Sequence, residues 1–102
     1  MLPCKPAKPE LVSDDPDTKK MTVKWEGCPG SPEVTYKLYW DAGVQNGQYE
    51  LMTETQKKKE FTVDTFDIPS RFFRYYVEAI NPCGVLKSPI LTTERKVPPL
   101  PV

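Results

Sequence analysis

The chain contains no histidine among its 102 residues. Histidine is the commonest general base near neutral pH and a frequent metal ligand. Its absence excludes Ser/His/Asp and Cys/His arrangements for nucleophilic catalysis. Only three cysteines are present, which is one thiol short of a four-ligand zinc site. We therefore expect no metal, no cofactor and no enzyme activity in this chain.

Net charge is also lacking, because fourteen basic side chains balance fourteen acidic ones. Binding of nucleic acids or anionic membranes through a general field needs an excess of clustered lysine and arginine. No apolar run approaches the roughly 20 residues of a membrane-spanning helix, and the first residues have no signal-like apolar stretch. We expect neither a nucleic-acid partner nor direct membrane insertion.

Glycine is scarce and dispersed, with five residues and no phosphate-binding loop. The acidic cluster of Asp14, Asp15 and Asp17 lacks the glycine and the distal glutamate of a calcium loop. The basic run at 57–59 is flanked by Glu54 and Glu60, which favours a solvated loop over an anion site. Neither cluster predicts chemistry.

Cys4, Cys28 and Cys83 cannot all pair within one chain. No Asn-x-Ser/Thr acceptor for glycosylation is present either. Both features favour a reducing, intracellular compartment. The alternative is that the chain belongs to the extracellular part of a larger protein. The compartment stays open from the sequence.

Proline is abundant, with twelve residues against a usual frequency of about 5%. This excludes a helical bundle, because proline breaks helix interiors. The first three prolines are spaced three apart, as in polyproline II, and three more stand near the end of the chain. We predict a linker at 1–7, one domain at 8–96 and a second linker at 97–102. The last segment also matches a proline-rich ligand of WW-type domains, although its composition favours a linker.

Alternating apolar and polar residues predict seven short strands separated by turn residues. In Lys20 to Glu26, for example, Met21, Val23 and Trp25 share one face. Asn46-Gly47 favours a tight hairpin. The predicted strands are Glu10 to Ser13, Lys20 to Glu26, Val34 to Asp41, Gln48 to Thr53, Lys59 to Asp64, Arg71 to Ile80 and Leu86 to Glu94. This number and spacing indicate an all-β, immunoglobulin-like β-sandwich.

Three motifs resemble the fibronectin type III domain over about residues 6 to 96. They are Met21-x-Val23-x-Trp25, Tyr36-x-Leu38-x-Trp40 and Phe73-x-Tyr75-x-Val77-x-Ala79-x-Asn81-x-x-Gly84. The resemblance implies strands A, B and E in one sheet and C′, C, F and G in the other, with Trp25 buried between the sheets. The family usually has a tyrosine at the position of Phe73. Its hydroxyl ties the E–F corner to the backbone, so the resemblance leaves this corner one hydrogen bond short.

The resemblance also places the B–C loop, the F–G loop and the N-terminal entry at one pole of the sandwich. It thereby brings the three cysteines near one another. A Cys28–Cys83 disulfide is the candidate pairing, against the favoured alternative of three unpaired thiols.

Side chains alternate across a strand, so Tyr39, Phe72, Tyr76 and Ile80 are expected to point away from the core. Strands C and F are neighbours in the resembled fold, which places Tyr39 beside Tyr76, with Lys37 and Arg74 available for cation–π contacts. Cross-strand stabilisation alone is one interpretation. The other is a protein-binding face made of Tyr39, Phe72, Arg74 and Tyr76.

These observations favour a non-catalytic interaction or spacer module of a larger protein, monomeric in isolation, with a protein partner. The alternatives are an accessory domain of an enzyme whose catalytic residues lie elsewhere, and ligand capture by the B–C and F–G loops through Gly30, Ser31 and Gly84.

Overall fold

The predicted alternation produces two antiparallel sheets in the computed structural model, which describes residues 2–29, 33–42 and 47–96. Within this part of the chain the strands are β1 (Glu10–Asp15), β2 (Lys20–Lys24), β3 (Thr35–Asp41), β4 (Glu50–Thr55), β5 (Glu60–Asp64), β6 (Phe72–Asn81), β7 (Gly84–Lys87) and β8 (Leu91–Glu94). No helix among the described residues is long and apolar enough to cross a membrane.

The sheet order confirms the predicted β-sandwich. One sheet has the order β1-β2-β5, and the other has the order β4-β3-β6-β7, with β8 also paired to β6. In the notation of the resembled family these are A-B-E and C′-C-F-G. Asn46 of the predicted hairpin lies outside the described residues, and Gly47 has a φ of 83°, a conformation that glycine adopts readily.

The last predicted strand is divided in two, so the described part of the chain has eight strands where the sequence suggested seven. Pro89 has no N–H to donate to a ladder, and the pairing with β6 changes at this point. The Ser88 amide donates to the Val77 carbonyl at 2.8 Å. In return, the Val77 amide donates to the Ser88 side-chain Oγ at 2.9 Å. The serine side chain thus replaces a backbone acceptor at the break.

The core lies between the inner faces of the two sheets. It contains Met21, Val23 and Trp25 from the first sheet, and Tyr36, Leu38, Trp40, Phe73, Tyr75, Val77 and Ala79 from the second. Burying each large apolar side chain contributes about 1.5–3 kcal/mol, which makes this cluster the main source of stability. Trp25 is buried, as the resemblance implied.

The corner before β6 is closed without a tyrosine. Arg95, directly after β8, donates from Nη2 to the carbonyl oxygens of Thr65 (3.0 Å) and Ile68 (2.6 Å). Its guanidinium also lies over the ring of Phe73. The hydrogen bond that the sequence suggested was missing is therefore replaced by bonds from Arg95, the residue after β8.

The N-terminal segment packs against the sandwich. Pro3, Pro6 and Pro9 are all buried, and their spacing of three matches the three-residue turn of polyproline II, which would place them on one side. The linker at 1–7 and the domain boundary at residue 8 stay predictions; within that segment Pro3 and Pro6 are buried and Cys4 is bridged to Cys28. The predicted linker at 97–102 lies outside the described residues.

Candidate interaction surface

The outer face of the five-stranded sheet carries a cluster of tyrosines. Tyr39 on β3 is in register with Tyr76 on β6, and their rings stack with centroids 5.0 Å apart and planes 14° apart. Tyr49, just before β4, meets Tyr76 edge-on at 4.8 Å. We call Tyr39, Tyr49 and Tyr76 the tyrosine cluster. Its geometry matches the offset and T-shaped arrangements that aromatic pairs favour.

The cation over this cluster is Lys87. Its Nζ lies 5.2 Å from the ring centroid of Tyr76. The sequence suggested a cation–π contact for Lys37, but its Nζ lies 3.5 Å from Oε1 of Glu54 and forms an ion pair with it. Arg74 is exposed and in register with Asp41. Lys87 reaches the cluster because β7 pairs with β6 so that Lys87 stands opposite Glu78.

Both phenols of the stacked pair are held in their protonated form. Burial raises the pKa of Tyr39 to about 12, and a hydrogen bond to Glu78 and the charge of that carboxylate act in the same direction. Burial, followed by the charge of Glu78, also raises the pKa of Tyr76. At neutral pH Tyr39 and Tyr76 therefore present neutral hydroxyl groups.

Phe72 stands apart from the tyrosine cluster. It lies four residues from Tyr76 along the same strand, which corresponds to roughly 13 Å. Its side chain is 50% exposed, and the guanidinium of Arg71 lies 5.8 Å from its ring centroid. Arg71 in turn pairs with Glu94 at 2.5 Å. Of the four predicted contact residues, the structure brings Tyr39 and Tyr76 together, places Arg74 next to them on β6 and leaves Phe72 at the end of the strand.

Three residues of this face were not predicted from the sequence: Tyr49, Leu51 and Lys87. Leu51 is 46% exposed and stands directly opposite Tyr39. The register between β3 and β4 shifts between Leu38 and Tyr39, so alternation along β4 alone does not place its residues against β3. The aromatic and apolar residues Tyr49 and Leu51 are visible in the sequence. Which residues of β3 they face depends on this bulge.

The predicted Cys28–Cys83 disulfide is wrong, and so is the alternative of three unpaired thiols. Cys28 is bridged to Cys4, and the two Cα atoms are 5.6 Å apart. The reason is the packed polyproline segment, which carries Cys4 to the connection between β2 and β3. The Cys28 amide also donates to the Tyr36 hydroxyl at 2.5 Å. Cys83 is exposed on the turn between β6 and β7.

A groove of about 700 Å³ lies beside the disulfide, between the N-terminal segment and the end of β2. Lys8, Glu10, Lys24, Trp25 and Lys59 line it, and Lys24 pairs with Glu10 at 3.5 Å. Among the described residues, no group of three or more acidic, cysteine or histidine side chains is placed to hold a metal. Gly30 and Ser31, suggested for ligand capture, lie outside the described residues. Gly84 contacts the side chain of Leu2.

Comparison with solved structures supports the fold independently. The chain is similar to the fibronectin type III domain of human fibronectin type III domain containing protein 3, with 18% identity, a TM-score of 0.73 and coverage of 94% of this chain and 88% of that one. It is also similar to domains A168–A170 of titin, with 15% identity, a TM-score of 0.67 and coverage of 91% of this chain and 32% of the titin fragment. Both are domains of larger proteins.

No family model matches the sequence, and no curated protein matches it. The likeness to the two structures therefore concerns the course of the backbone. It agrees with the sheet order A-B-E and C′-C-F-G that the motifs around Trp25, Trp40 and Ala79 suggested. The chain has the fold of a fibronectin type III domain.

Proposed function

We propose that the chain is a non-catalytic interaction module of a larger protein, and that it binds a protein partner through the outer face of its five-stranded sheet. The observation that carries this proposal is the tyrosine cluster with Leu51 beside it on the solvent side. Tyrosine, together with arginine, is enriched among the residues that dominate binding energy. Arg74 and Phe72 would extend the contact along β6.

The order already present in the cluster supports this role. Tyr76 is held between Tyr39, Tyr49 and the ammonium group of Lys87. Binding usually costs about 0.5–1.5 kcal/mol for each side chain that is immobilised. Rings that are ordered before binding avoid much of this cost, so the cluster is suited to act as an anchor.

The outer face of the three-stranded sheet differs in composition from the face that carries the tyrosine cluster. There, Thr22 on β2 stands beside Thr62 on β5, and their hydroxyls are 2.9 Å apart. Lys20, Lys24, Glu60 and Asp64 flank this pair on the same face. Interface centres are depleted in charged residues and enriched in aromatic ones. The two outer faces therefore differ in the way expected of one binding face and one solvated face.

Site-specific photocrosslinking tests the proposal. The parent protein carries p-benzoylphenylalanine at Leu51 in one variant and at Thr22 in a control, and both are irradiated in the cell that expresses the protein. We expect a defined protein adduct from position 51 and none from position 22. The partner identified in this way should then bind a Tyr39→Ser/Tyr76→Ser variant at least tenfold more weakly than a Thr22→Ala/Thr62→Ala variant.

Two results would contradict the proposal. Equal adducts from both positions would indicate non-selective collisions. Unchanged affinity of the Tyr39→Ser/Tyr76→Ser variant would show that the cluster only stabilises the sheet. Thermal unfolding of both double variants ensures that each is folded at the temperature of the binding measurement.

We also propose an oxidising compartment for this domain. The prediction of an intracellular compartment rested partly on three cysteines that cannot all pair. In the structure, Cys4 and Cys28 form a disulfide. Disulfides persist mainly outside the reducing cytosol. Alkylation of the parent protein in intact cells tests this: Cys4 and Cys28 should resist the reagent until a reductant is added. Immediate labelling of both thiols would place the domain in a reducing compartment.

A further inference from the structure

The three cysteines gather at one pole of the sandwich, and each lies on a different segment. Cys4 is in the N-terminal polyproline segment, Cys28 follows β2, and Cys83 is on the turn between β6 and β7. The Cys28 amide contacts Tyr36, which is in register with Ala79 on β6. Cys83 lies four residues beyond Ala79. The strand register thus brings the turn and the disulfide to the same end of the molecule.

A direct contact joins the N-terminal segment to this turn. The side chain of Leu2 occupies the space next to Gly84, with its Cδ2 2.6 Å from where a Cβ on that glycine would stand. Leu2 is two residues before Cys4, and Gly84 is the residue after Cys83. The segment that carries one half of the disulfide therefore already touches the turn that carries the third cysteine.

The two cysteines of the bridge differ in their exposure to solvent. Cys4 is exposed, whereas Cys28 is only 8% exposed and belongs to the core cluster. A thiolate attacks the disulfide sulfur that it can reach, and the other sulfur leaves. Cys4 is thus the accessible target. Attack at Cys4 releases Cys28, and once protonated its thiol packs in the core like a small apolar side chain.

We propose that Cys83 exchanges with the Cys4–Cys28 disulfide and forms a second bridged state, Cys4–Cys83. The Cys83 thiolate attacks Sγ of Cys4, the Cys4–Cys28 bond breaks, and the Cys28 thiolate takes up the proton that Cys83 released. The number of disulfides is unchanged, so no external oxidant is consumed. The exchange moves the anchor of the N-terminal segment from the connection after β2 to the β6–β7 turn.

Disulfide mapping tests this exchange. The protein is equilibrated in a buffer of reduced and oxidised glutathione, blocked with N-ethylmaleimide and digested without reduction. Trypsin releases each cysteine on its own peptide, namely 1–19, 25–37 and 75–87. We expect a 1–19/75–87 linkage beside the 1–19/25–37 linkage in the wild-type protein, and complete loss of the former in a Cys83→Ser variant.

A Cys28→Ser variant measures the proximity directly. In the folded, monomeric variant, the Cys4–Cys83 bridge should form at least tenfold more than in the same variant unfolded in urea. A linkage that appears only in dimers would overturn the proposal and indicate contact between copies. Complete alkylation of Cys83 at every glutathione ratio, with no bridge in the Cys28→Ser monomer, would also overturn it.

Discussion

The guanidinium of Arg95 lies 5.2 Å from the ring centroid of Phe73 and at the same time bonds two carbonyl groups of the loop between β5 and β6. In the resembled family a tyrosine at the position of Phe73 ties this corner through its own hydroxyl. Here the bonds come from Arg95, directly after the last strand, whose guanidinium lies over the phenylalanine ring. The corner is thus preserved by a residue distant in sequence.

Replacement of Arg95 should open this corner. An Arg95→Met variant loses both bonds to the carbonyls of Thr65 and Ile68. Bonds to charged groups contribute about 1.5–3 kcal/mol each to stability, and the lower part of this range applies because Arg95 is only half-buried. We expect a loss of about 2–4 kcal/mol in the free energy of unfolding, measured by urea denaturation. The neighbouring Lys96→Met is the control, since the contact of Lys96 with Asp14 uses its backbone amide. Equal losses in both variants would contradict the role of Arg95.

The disulfide should contribute measurably to stability. Cys4 and Cys28 are 24 residues apart in sequence, and closing a loop of this size in the unfolded chain corresponds to about 3 kcal/mol. A Cys4→Ala/Cys28→Ala variant should lose this amount in urea denaturation, and dithiothreitol should have no further effect on it. Cys83→Ser should change the free energy of unfolding by less than about 0.5 kcal/mol, as expected for an exposed substitution. A large loss in Cys83→Ser alone would argue against the observed pairing.

The sheet order was predictable from sequence because it depends on local alternation and on motifs that surround buried residues. Met21 and Val23 in β2 and Trp25 directly after it are spaced by two, and all three are buried. The pairing of Cys4 was not predictable in the same way. The segment around Cys4 belongs to no strand and has no sheet ladder to fix its neighbours, so its position depends on the tertiary packing of Pro3 and Pro6.

The candidate site was predictable only where two residues share one strand pair. The contact between Tyr39 and Tyr76 was predictable because side chains alternate along each strand and the two strands are neighbours. Lys87 and Tyr49 depend on the registers of β7 and β4, and the register of β4 contains a bulge. A shift of one residue moves every side chain of a strand to the other face, so strand composition alone does not identify cross-strand contacts.

Ser88 should be important although it lies at a break between strands. Its Oγ accepts the amide hydrogen of Val77, in the middle of the longest strand. Ser88→Ala leaves this buried donor without its acceptor, which costs about 1–3 kcal/mol. We expect that loss in urea denaturation, together with faster hydrogen exchange of the Val77 amide. Thr92→Ala, on the exposed side of β8, is the control. An unchanged exchange rate in Ser88→Ala would show that another acceptor replaces the serine.

Lys19 has a φ of 58°, in the left-handed region that residues with a Cβ adopt at a cost. Its carbonyl accepts bonds from the amide (2.8 Å) and the hydroxyl (2.6 Å) of Thr65, which fix this conformation. The left-handed conformation costs alanine about 1–2 kcal/mol, and the greater freedom of glycine in the unfolded chain offsets about 0.5–1 kcal/mol of that advantage. Lys19→Gly should therefore be more stable than Lys19→Ala by about 0.5–1 kcal/mol. Both variants lose the contact of the lysine with Phe66, so their difference isolates the backbone. Greater stability of the alanine variant in thermal unfolding would contradict this explanation.

The tyrosine cluster should make the protein sensitive to alkaline pH. The pKa of Tyr39 is raised to about 12 in the folded state, against an ordinary value of 10.0. Between these values the unfolded chain loses the proton while the folded chain keeps it, so stability falls as the pH rises from 10 toward 12 and is unaffected below about 9. A Tyr39→Phe variant should lose less stability over this range, measured by urea denaturation at pH 9 and pH 11.5. Absorbance at 295 nm should show one fewer late-ionising phenol in the variant. Parallel pH profiles of the two proteins would mean that Tyr39 titrates normally and that its hydroxyl is not held by Glu78.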